Sequence, residues 1–371
     1  MNMCIAVTGT RGIPDIPGGV ETHCQQLYPR LVAMGCDVTV MRRSCYVPAD
    51  TSPSFYRGVM LLDIYAPRRK SLEAIVHTFL AVIKARLMNA DVVHIHAAGP
   101  SLITPVARLL GLKVVCTNHG PDYERAKWGR LARAMIRMGE WCQARWAHRI
   151  IAISPAIVDT LRTRYGRTQG VTLIPNGVDT PAPCHRTDFL EQQGIVPGHY
   201  VLAVARLVPE KRLHLLVEAF RQLHLPDVQL VIAGDADHDD NYSRQLKQQA
   251  RQAGAILTGY VTGEPLRQLW AAARLFVLPS SHEGLPISLL EAMSWHRDVL
   301  VSDIAACRLP ELSADDFFAT DQMDELIAAL RRKLATECPE RHYNLTAYDW
   351  DRIASDTIEV YQQLLSQRNK P

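Results

Sequence analysis

The most concentrated chemistry in the chain lies in Ser280-Ser281-His282-Glu283-Gly284-Leu285-Pro286-Ile287-Ser288-Leu289-Leu290-Glu291-Ala292, a Gly- and Pro-bearing loop between two acids. Pro286 suits the first turn of a helix, so Glu283 falls in the loop and Glu291 on the helix. The backbone of Gly284, Leu285, Pro286 and Ile287 then forms a helix start, where N–H groups favour an anion. A loop carboxylate and a helical carboxylate flanking such a start can each accept from a vicinal diol, one on a sugar and one on a ribose. A plain surface helix is the weaker reading, because Gly and Pro crowd the space between the acids.

Two further segments could bind anions. Arg206 and Lys211 lie where a strand ends and a helix begins. Two cations there can neutralise a diphosphate, each charge-assisted bond contributing roughly 1.5–3 kcal/mol; taken alone, a solvated surface pair explains them as well. The segment Thr10-Arg11-Gly12-Ile13-Pro14 to Gly18-Gly19-Val20-Glu21 follows the first strand and opens a helix. Gly18 and Gly19 let backbone approach a ligand, but the spacing is not G-x-G-x-x-G, and a tight turn accounts for it equally well.

The elements that must position these residues alternate. Short β-branched runs (Ile5–Thr8, Asp37–Met41, Val92–Ile95, Val114–Thr117, Ile150–Ile153, Val171–Ile174) are separated by longer helical patterns, the signature of a parallel sheet covered by helices. The Pro-rich passage Thr180-Pro181-Ala182-Pro183 breaks the series, and the same grammar restarts with Tyr200–Val204, Gln229–Ala233, Ala255–Leu257, Leu275–Leu278 and Val299–Val301. Leu213–Leu223 and Asn241–Ala253 read as helices of this second half. The final amphipathic pattern, about Tyr348 to Gln367, has no strand after it and should dock on an existing layer. The expected division is residues 1–178 with helix 349–371 docked back on them, and residues 179–348 as a second unit.

Composition agrees with an α/β enzyme of two domains. A chain of 371 residues exceeds one ordinary core, and 47% hydrophobic with 21% charged residues is a globular balance. Lys+Arg 41 against Asp+Glu 38 leaves +3, too little to argue for nucleic acid as a partner. Nine cysteines without a C-x-x-C pair read as free thiols of a reducing, cytoplasmic compartment. Met1–Ala6 runs directly into a strand with no signal-peptide pattern, and the longest apolar stretch, Ala74–Ile83, is too short to span a bilayer. Membrane contact is expected to be peripheral at most.

Glu283 and Glu291, with seven residues between them, match the E-x(7)-E motif of the retaining GT-B glycosyltransferases of family four, which the chain resembles over nearly its whole length. Gly18-Gly19-Val20-Glu21, Asn118-His119-Gly120, Ile174-Pro175-Asn176-Gly177-Val178-Asp179, Arg206 with Lys211, and Val301-Ser302-Asp303 follow in the family's order. The resemblance implies two doubly wound Rossmann-like domains facing a cleft. It also implies a nucleotide diphosphate sugar as donor, transfer with retention to a hydroxyl acceptor, and no metal or other cofactor. Arg206 and Lys211 would bind the donor phosphates, Glu283 the sugar and Glu291 the ribose. His119 would meet the sugar near the reacting carbon, as a neutral ring accepting from a sugar hydroxyl. The Thr10-Arg11-Gly12-Ile13-Pro14 form looks like a subgroup of bacterial surface polysaccharide assembly (exopolysaccharide, capsule, O-antigen, lipopolysaccharide), where the acceptor is a lipid-linked saccharide.

Other features are read more plainly. His94 and His96 project to one side of a strand, with a core or wall role favoured over metal ligation. Asp235-Ala236-Asp237-His238-Asp239-Asp240 reads as a solvated loop capping the next helix, although it contains an Asp-x-Asp. Arg125, Lys127, Arg130, Arg133, Arg137, Arg145 and Arg149 accompany Trp128, Trp141 and Trp146. This pattern suits either an anionic membrane surface or a solvated helix face with buried indoles. The competing functions are a nucleotide-sugar epimerase or phosphorylase of the same fold, and a non-catalytic two-domain sugar-binding protein.

Overall fold

The computed structural model describes residues 2–47, 53–69, 72–121, 123, 129–236, 239–335 and 341–366. Contacts divide the chain into two compact units, Met1–Gly177 with Ala347–Pro371, and Val178–Thr346.

The first unit runs β1 (Cys4–Thr8), α1 (Gly19–Ala33), β2 (Asp37–Arg43), β3 (Phe55–Tyr56), β4 (Val59–Ile64), α2 (Glu73–Leu87), β5 (Val92–His96) and α3 (Thr104–Leu109). It continues with β6 (Lys113–Asn118), α4 (Arg130–Trp146), β7 (Arg149–Ala152), α5 (Pro155–Tyr165) and β8 (Val171–Leu173). The strand order is β3-β4-β2-β1-β5-β6-β7-β8, parallel except for the antiparallel β3–β4 hairpin. Apolar runs such as Val92-Val93 and Val114-Val115 are buried on both faces, as a sheet covered on two sides requires. Helix ends follow local chemistry. α5 begins with Ser154 and Pro155 and ends at Gly166 in the left-handed region, φ 65°.

The second unit runs α6 (Asp188–Gln192), β9 (Tyr200–Val204), α7 (Leu213–Leu223), β10 (Gln229–Ala233), α8 (Asn241–Gln252) and β11 (Ile256–Gly259). After these come α9 (Gly263–Ala272), β12 (Leu275–Leu278), α10 (Ile287–Ser294), β13 (Asp298–Ser302), β14 (Phe317–Phe318) and α11 (Met323–Ala335). Its sheet is ordered β11-β10-β9-β12-β13-β14. Asp240 caps α8, its carboxylate accepting from Ser243 N at 2.8 Å, while Asp235 pairs with Lys247 at 2.7 Å. Asp237 and His238 lie outside the described residues.

The last helix, α12 (Trp350–Ser366), belongs to the first unit. It lies on α1 and adds Trp350, Ile353, Ala354, Val360, Tyr361 and Leu364 to the core that holds Ile5, Val7, Leu27, Tyr28 and Leu31.

In each sheet the connections reverse direction beside the first strand of the unit. β1 lies between β2 and β5, and β9 lies between β10 and β12. Ligands of open α/β sheets bind at the carboxyl ends of strands at such a reversal. The segments that follow β9 and β12 are those bearing Arg206 to Lys211 and Ser280 to Pro286. Gly9, after β1, has φ 94°, and a Cβ there would collide with the His96 carbonyl at the end of β5. Only glycine lets these two strand ends approach so closely.

Candidate functional site

In the second unit, Arg206 follows β9 by two residues and is half-buried. Lys211 closes a short 3-10 turn, Pro209–Lys211, just before α7. Glu283 stands in the loop after β12, and the Lys211 ammonium pairs with its carboxylate, with side-chain exposures of 16% and 10%. The two loops are pinned together because Ser281 N donates to the Glu210 carbonyl at 2.9 Å and Ser281 Oγ does so at 3.2 Å. Buried Cys307 lies in the same neighbourhood; its thiol is pushed well up by burial and further by Glu283, against the pull of Lys211.

α10 begins at Ile287 with Pro286 as its N-cap, one position earlier than a first-turn proline. Pro286 has no N–H, so the amides at this helix start are those of Gly284, Leu285 and Ile287. No side chain caps the helix. Glu291 lies one turn in. Burial, and after it the Asp179 carboxylate, raise its pKa to about 7, so near neutrality it exists in both protonation states.

In the first unit, His119 follows β6 in a turn built by its neighbours. The Asn118 amide donates to Glu140 at 3.1 Å and to Gln143 at 3.4 Å on α4, while its Oδ1 accepts from Gly120 N at 2.9 Å. His119 Nε2 is 2.9 Å from Nδ1 of fully buried His96, whose Nε2 meets the Tyr28 hydroxyl. His23 of α1 sets its ring edge against His119, centroids 5.0 Å apart, and is held by Asn176 Oδ1 at 3.0 Å. Burial lowers the His23 pKa to about 4, against the raising effect of Asn176, and lowers that of His94 to about 3, so both rings are neutral near pH 7. His96 is lowered well below the ordinary value, by burial and then by the neighbouring rings. One ring nitrogen from each of His23, His96 and His119 converge within 4.8 Å of one another, a grouping that could hold a metal ion.

Gly18 and Gly19 open α1, Gly18 as N-cap at φ 148° and Gly19 as the first helical residue. An internal carboxylate already lies in this loop. Glu21 accepts from Arg11 N at 2.9 Å and from Thr10 Oγ1 at 3.2 Å, and a Cβ on Gly18 would collide with it.

Of the residues singled out by sequence, Arg206, Lys211, Glu283 to Ile287 and Glu291 belong to one unit, while His119, Gly18 and Gly19 belong to the other. Sequence reasoning passed over His23, and it separated His96 from His119. No spacing rule joins three histidines carried by α1, β5 and the turn after β6.

The basic helix α4 presents one exposed face bearing Arg130, Arg133, Arg137 and Arg145. Leu131, Met138, Trp141 and Trp146 are exposed beside them, at 76%, 52%, 49% and 39%. These two indoles are therefore not core residues; Arg125, Lys127 and Trp128 lie outside the described residues. No helix among the described residues is long and apolar enough to cross a membrane.

The family model "Glycosyltransferase Family 4" matches residues 17–181, and "Glycosyl transferases group 1" matches residues 198–336. The chain is 26% identical to the alpha-maltose-1-phosphate synthase of Mycolicibacterium smegmatis, over 95% of this chain and 97% of that protein. It is 27% identical to an Escherichia coli UDP-Gal:alpha-D-GlcNAc-diphosphoundecaprenol alpha-1,3-galactosyltransferase, over 68% of this chain and 65% of that one. The structure resembles sucrose-phosphate synthase from Thermosynechococcus elongatus with a TM-score of 0.85 at 20% identity, covering 99% of this chain and 100% of the other. Two doubly wound units whose sequences match the two family models in order make this chain a GT-B glycosyltransferase, a member of glycosyltransferase family 4, group 1.

Proposed function

We propose that this glycosyltransferase moves a sugar, with retention, from a nucleoside diphosphate donor to a hydroxyl of a lipid-linked saccharide in surface polysaccharide assembly. The observation that carries the reading is the Lys211–Glu283 pair at the sheet reversal of the second unit, with α10 opening beside it and Glu291 one turn along. A cation, a helix start and two carboxylates suit a diphosphate held between two diols. Arg206 and Lys211 hold the phosphates with the amides of Gly284, Leu285 and Ile287, Glu283 takes the sugar and Glu291 the ribose. The residues of this site supply that binding without a metal ion.

The bond from the anomeric carbon to the diphosphate oxygen breaks as the acceptor oxygen attacks the same face, and the leaving diphosphate takes the acceptor proton. Electrostatic stabilisation of the departing charge is then the main catalytic contribution. Within the first unit, we assign a sugar contact to His119. The diphosphoundecaprenol acceptor in the name of the E. coli relative supports a lipid-linked acceptor. The exposed Arg, Leu, Met and Trp face of α4 supports docking on an anionic bilayer, where such an acceptor is found.

A thermal-shift panel of nucleotide sugars identifies the donor, since a ligand at about a hundred times its dissociation constant stabilises by roughly 2.7 kcal/mol. Release of free nucleoside diphosphate only when a lipid-linked saccharide is supplied, with the anomeric configuration kept in the product NMR spectrum, is the expected result. Failure of every nucleotide sugar to stabilise the protein or to release its diphosphate would overturn the reading.

A further inference from the structure

His119 is the end of a buried hydrogen-bonded chain. On the Tyr28 side, the hydroxyl meets His96 Nε2 and lies 3.1 Å from His94 Nδ1. His94 Nδ1 is also 2.6 Å from the Tyr361 hydroxyl of α12, and its Nε2 is 2.7 Å from Thr117 Oγ1. His96 Nδ1 completes the chain at 2.9 Å from His119 Nε2. The rings of His94 and His96 stack at 4.3 Å, and those of His96 and His119 at 5.2 Å. Tyr28, His94, His96, Thr117 and Tyr361 are all 0% exposed, so bulk water cannot rearrange their protons.

The protons can be assigned by counting, because a neutral imidazole carries one N–H and offers one lone pair in its plane. A phenol O–H is a stronger acid than an imidazole N–H, so each tyrosine donates to a ring nitrogen. Tyr361, the closer hydroxyl, donates to His94 Nδ1, which puts the His94 proton on Nε2 facing Thr117. Tyr28 then donates to His96 Nε2, and the His96 proton lies on Nδ1. Run the other way, Tyr28 would give its proton to the Tyr361 oxygen and accept from a His96 Nε2–H, which sets the weaker acid donating to the stronger.

We propose that His96, oriented by Tyr28, is a positioning residue that donates its Nδ1–H to His119 Nε2 and thereby holds His119 in the tautomer protonated on Nδ1. On the reading of His119 as a sugar contact, on which the catalytic consequence rests, the ring then donates at Nδ1 rather than accepting there. The His23–His96–His119 convergence does not favour a metal instead. A tetrahedral zinc site wants neighbouring nitrogens about 3.3 Å apart, whereas the His96–His119 pair is at proton-sharing distance, 2.9 Å.

The test is two-bond proton–nitrogen correlation NMR on the full chain labelled with 15N at histidine, the His119 signals being those lost in His119→Gln. Both His96 and His119 should show the Nδ1–H pattern. In Tyr28→Phe, which keeps the ring and removes the hydroxyl, His119 should shift toward the Nε2–H pattern, and kcat should fall about three- to tenfold with the donor KM unchanged. An Nε2–H pattern for His119 in the wild type overturns the proposal, as does an unaltered His119 tautomer in a folded Tyr28→Phe. Stoichiometric zinc whose removal by a chelator shifts these signals overturns it too. If Tyr28→Phe does not fold, the wild-type spectrum decides alone. The expected tautomer together with a fully active His119→Gln would retain the relay and reject only the sugar contact.

Discussion

The Lys211 ammonium and the Glu283 carboxylate are ion-paired across two loops that leave neighbouring strands β9 and β12. On the proposed roles, the residue for the phosphates and the residue for the sugar are thus coupled before either meets a substrate. Lys211→Ala and Arg206→Ala should each weaken donor diphosphate binding about ten- to a hundredfold, less at high salt. Because Lys211 also orients Glu283, Lys211→Ala should lower turnover as Glu283→Gln does, and the double variant should lose less than the sum. Calorimetry with the diphosphate and steady-state transfer check this. Unchanged diphosphate affinity in both cation variants would remove the phosphate assignment.

Glu291 sets a pH dependence with a definite sign. Its carboxyl stands at about 7 when folded, chiefly through burial, against an ordinary 4.5. The folded chain therefore binds the extra proton, and the associated stability is present below pH 4.5 and lost as pH rises through 7. Urea midpoints should show wild type losing on the order of 2 kcal/mol relative to Glu291→Gln across that range. Parallel curves for the two proteins would count against the shift.

Lys333 of α11 holds together a buried charge cluster, 2.8 Å from Asp298 and 2.6 Å from Asp316, with Arg341 2.7 Å from Asp316. Burial alone would raise the Asp316 pKa, but the hydrogen bond from Lys333 leads the effects that bring it below the ordinary carboxylate value. Lys333→Met leaves buried carboxylates short of a partner and should destabilise the chain by about 3–5 kcal/mol. Denaturant unfolding near neutral pH measures the loss, which should shrink as pH falls and Asp316 is protonated.

Charge reversal of Arg130, Arg133 and Arg137 together should abolish sedimentation with anionic vesicles while circular dichroism stays unchanged, since all three lie on the exposed face of α4. Binding by the wild type should weaken with salt. Wild-type protein that never sediments at low salt would reject the membrane role of this face.

His119→Ala should cut turnover about ten- to a thousandfold, on the order of 1.4–4 kcal/mol of barrier, and leave diphosphate affinity nearly intact. Loss of diphosphate binding as well would move the ring out of the sugar site.

Much of this architecture was legible because parallel strands buried on both faces announce themselves. Tyr200–Val204, Gln229–Ala233 and Leu275–Leu278 fall where their β-branched runs end. The β3–β4 hairpin was not read, since Phe55–Tyr56 is only two residues long and β4, Val59–Ile64, pairs with β2 at the sheet edge beyond a Pro- and Ser-bearing stretch. β14, Phe317–Phe318, is equally short. The loops proposed to bind the donor could be singled out locally, but the Lys211–Glu283 pair spans 72 residues and the histidine chain reaches from Tyr28 to Tyr361. Such partners depend on which strands lie side by side, which periodicity does not encode.

The docking of α12 on α1 has a consequence for synthesis. The core around Leu27, Tyr28 and Leu31 is completed by Trp350, Ile353, Val360 and Leu364, and Gly177 lies so close to the Trp350 ring that a Cβ would collide with it. A ribosome makes everything else in the first unit, then the whole second unit, before it delivers these side chains. The unit born first is therefore the last to close, carrying an open apolar seam while its neighbour can already fold. Nascent chains arrested before Trp350 should leave α1 open to protease while the second unit resists, and a mutation that removes only the C-terminus is in effect a lesion of the N-terminal unit.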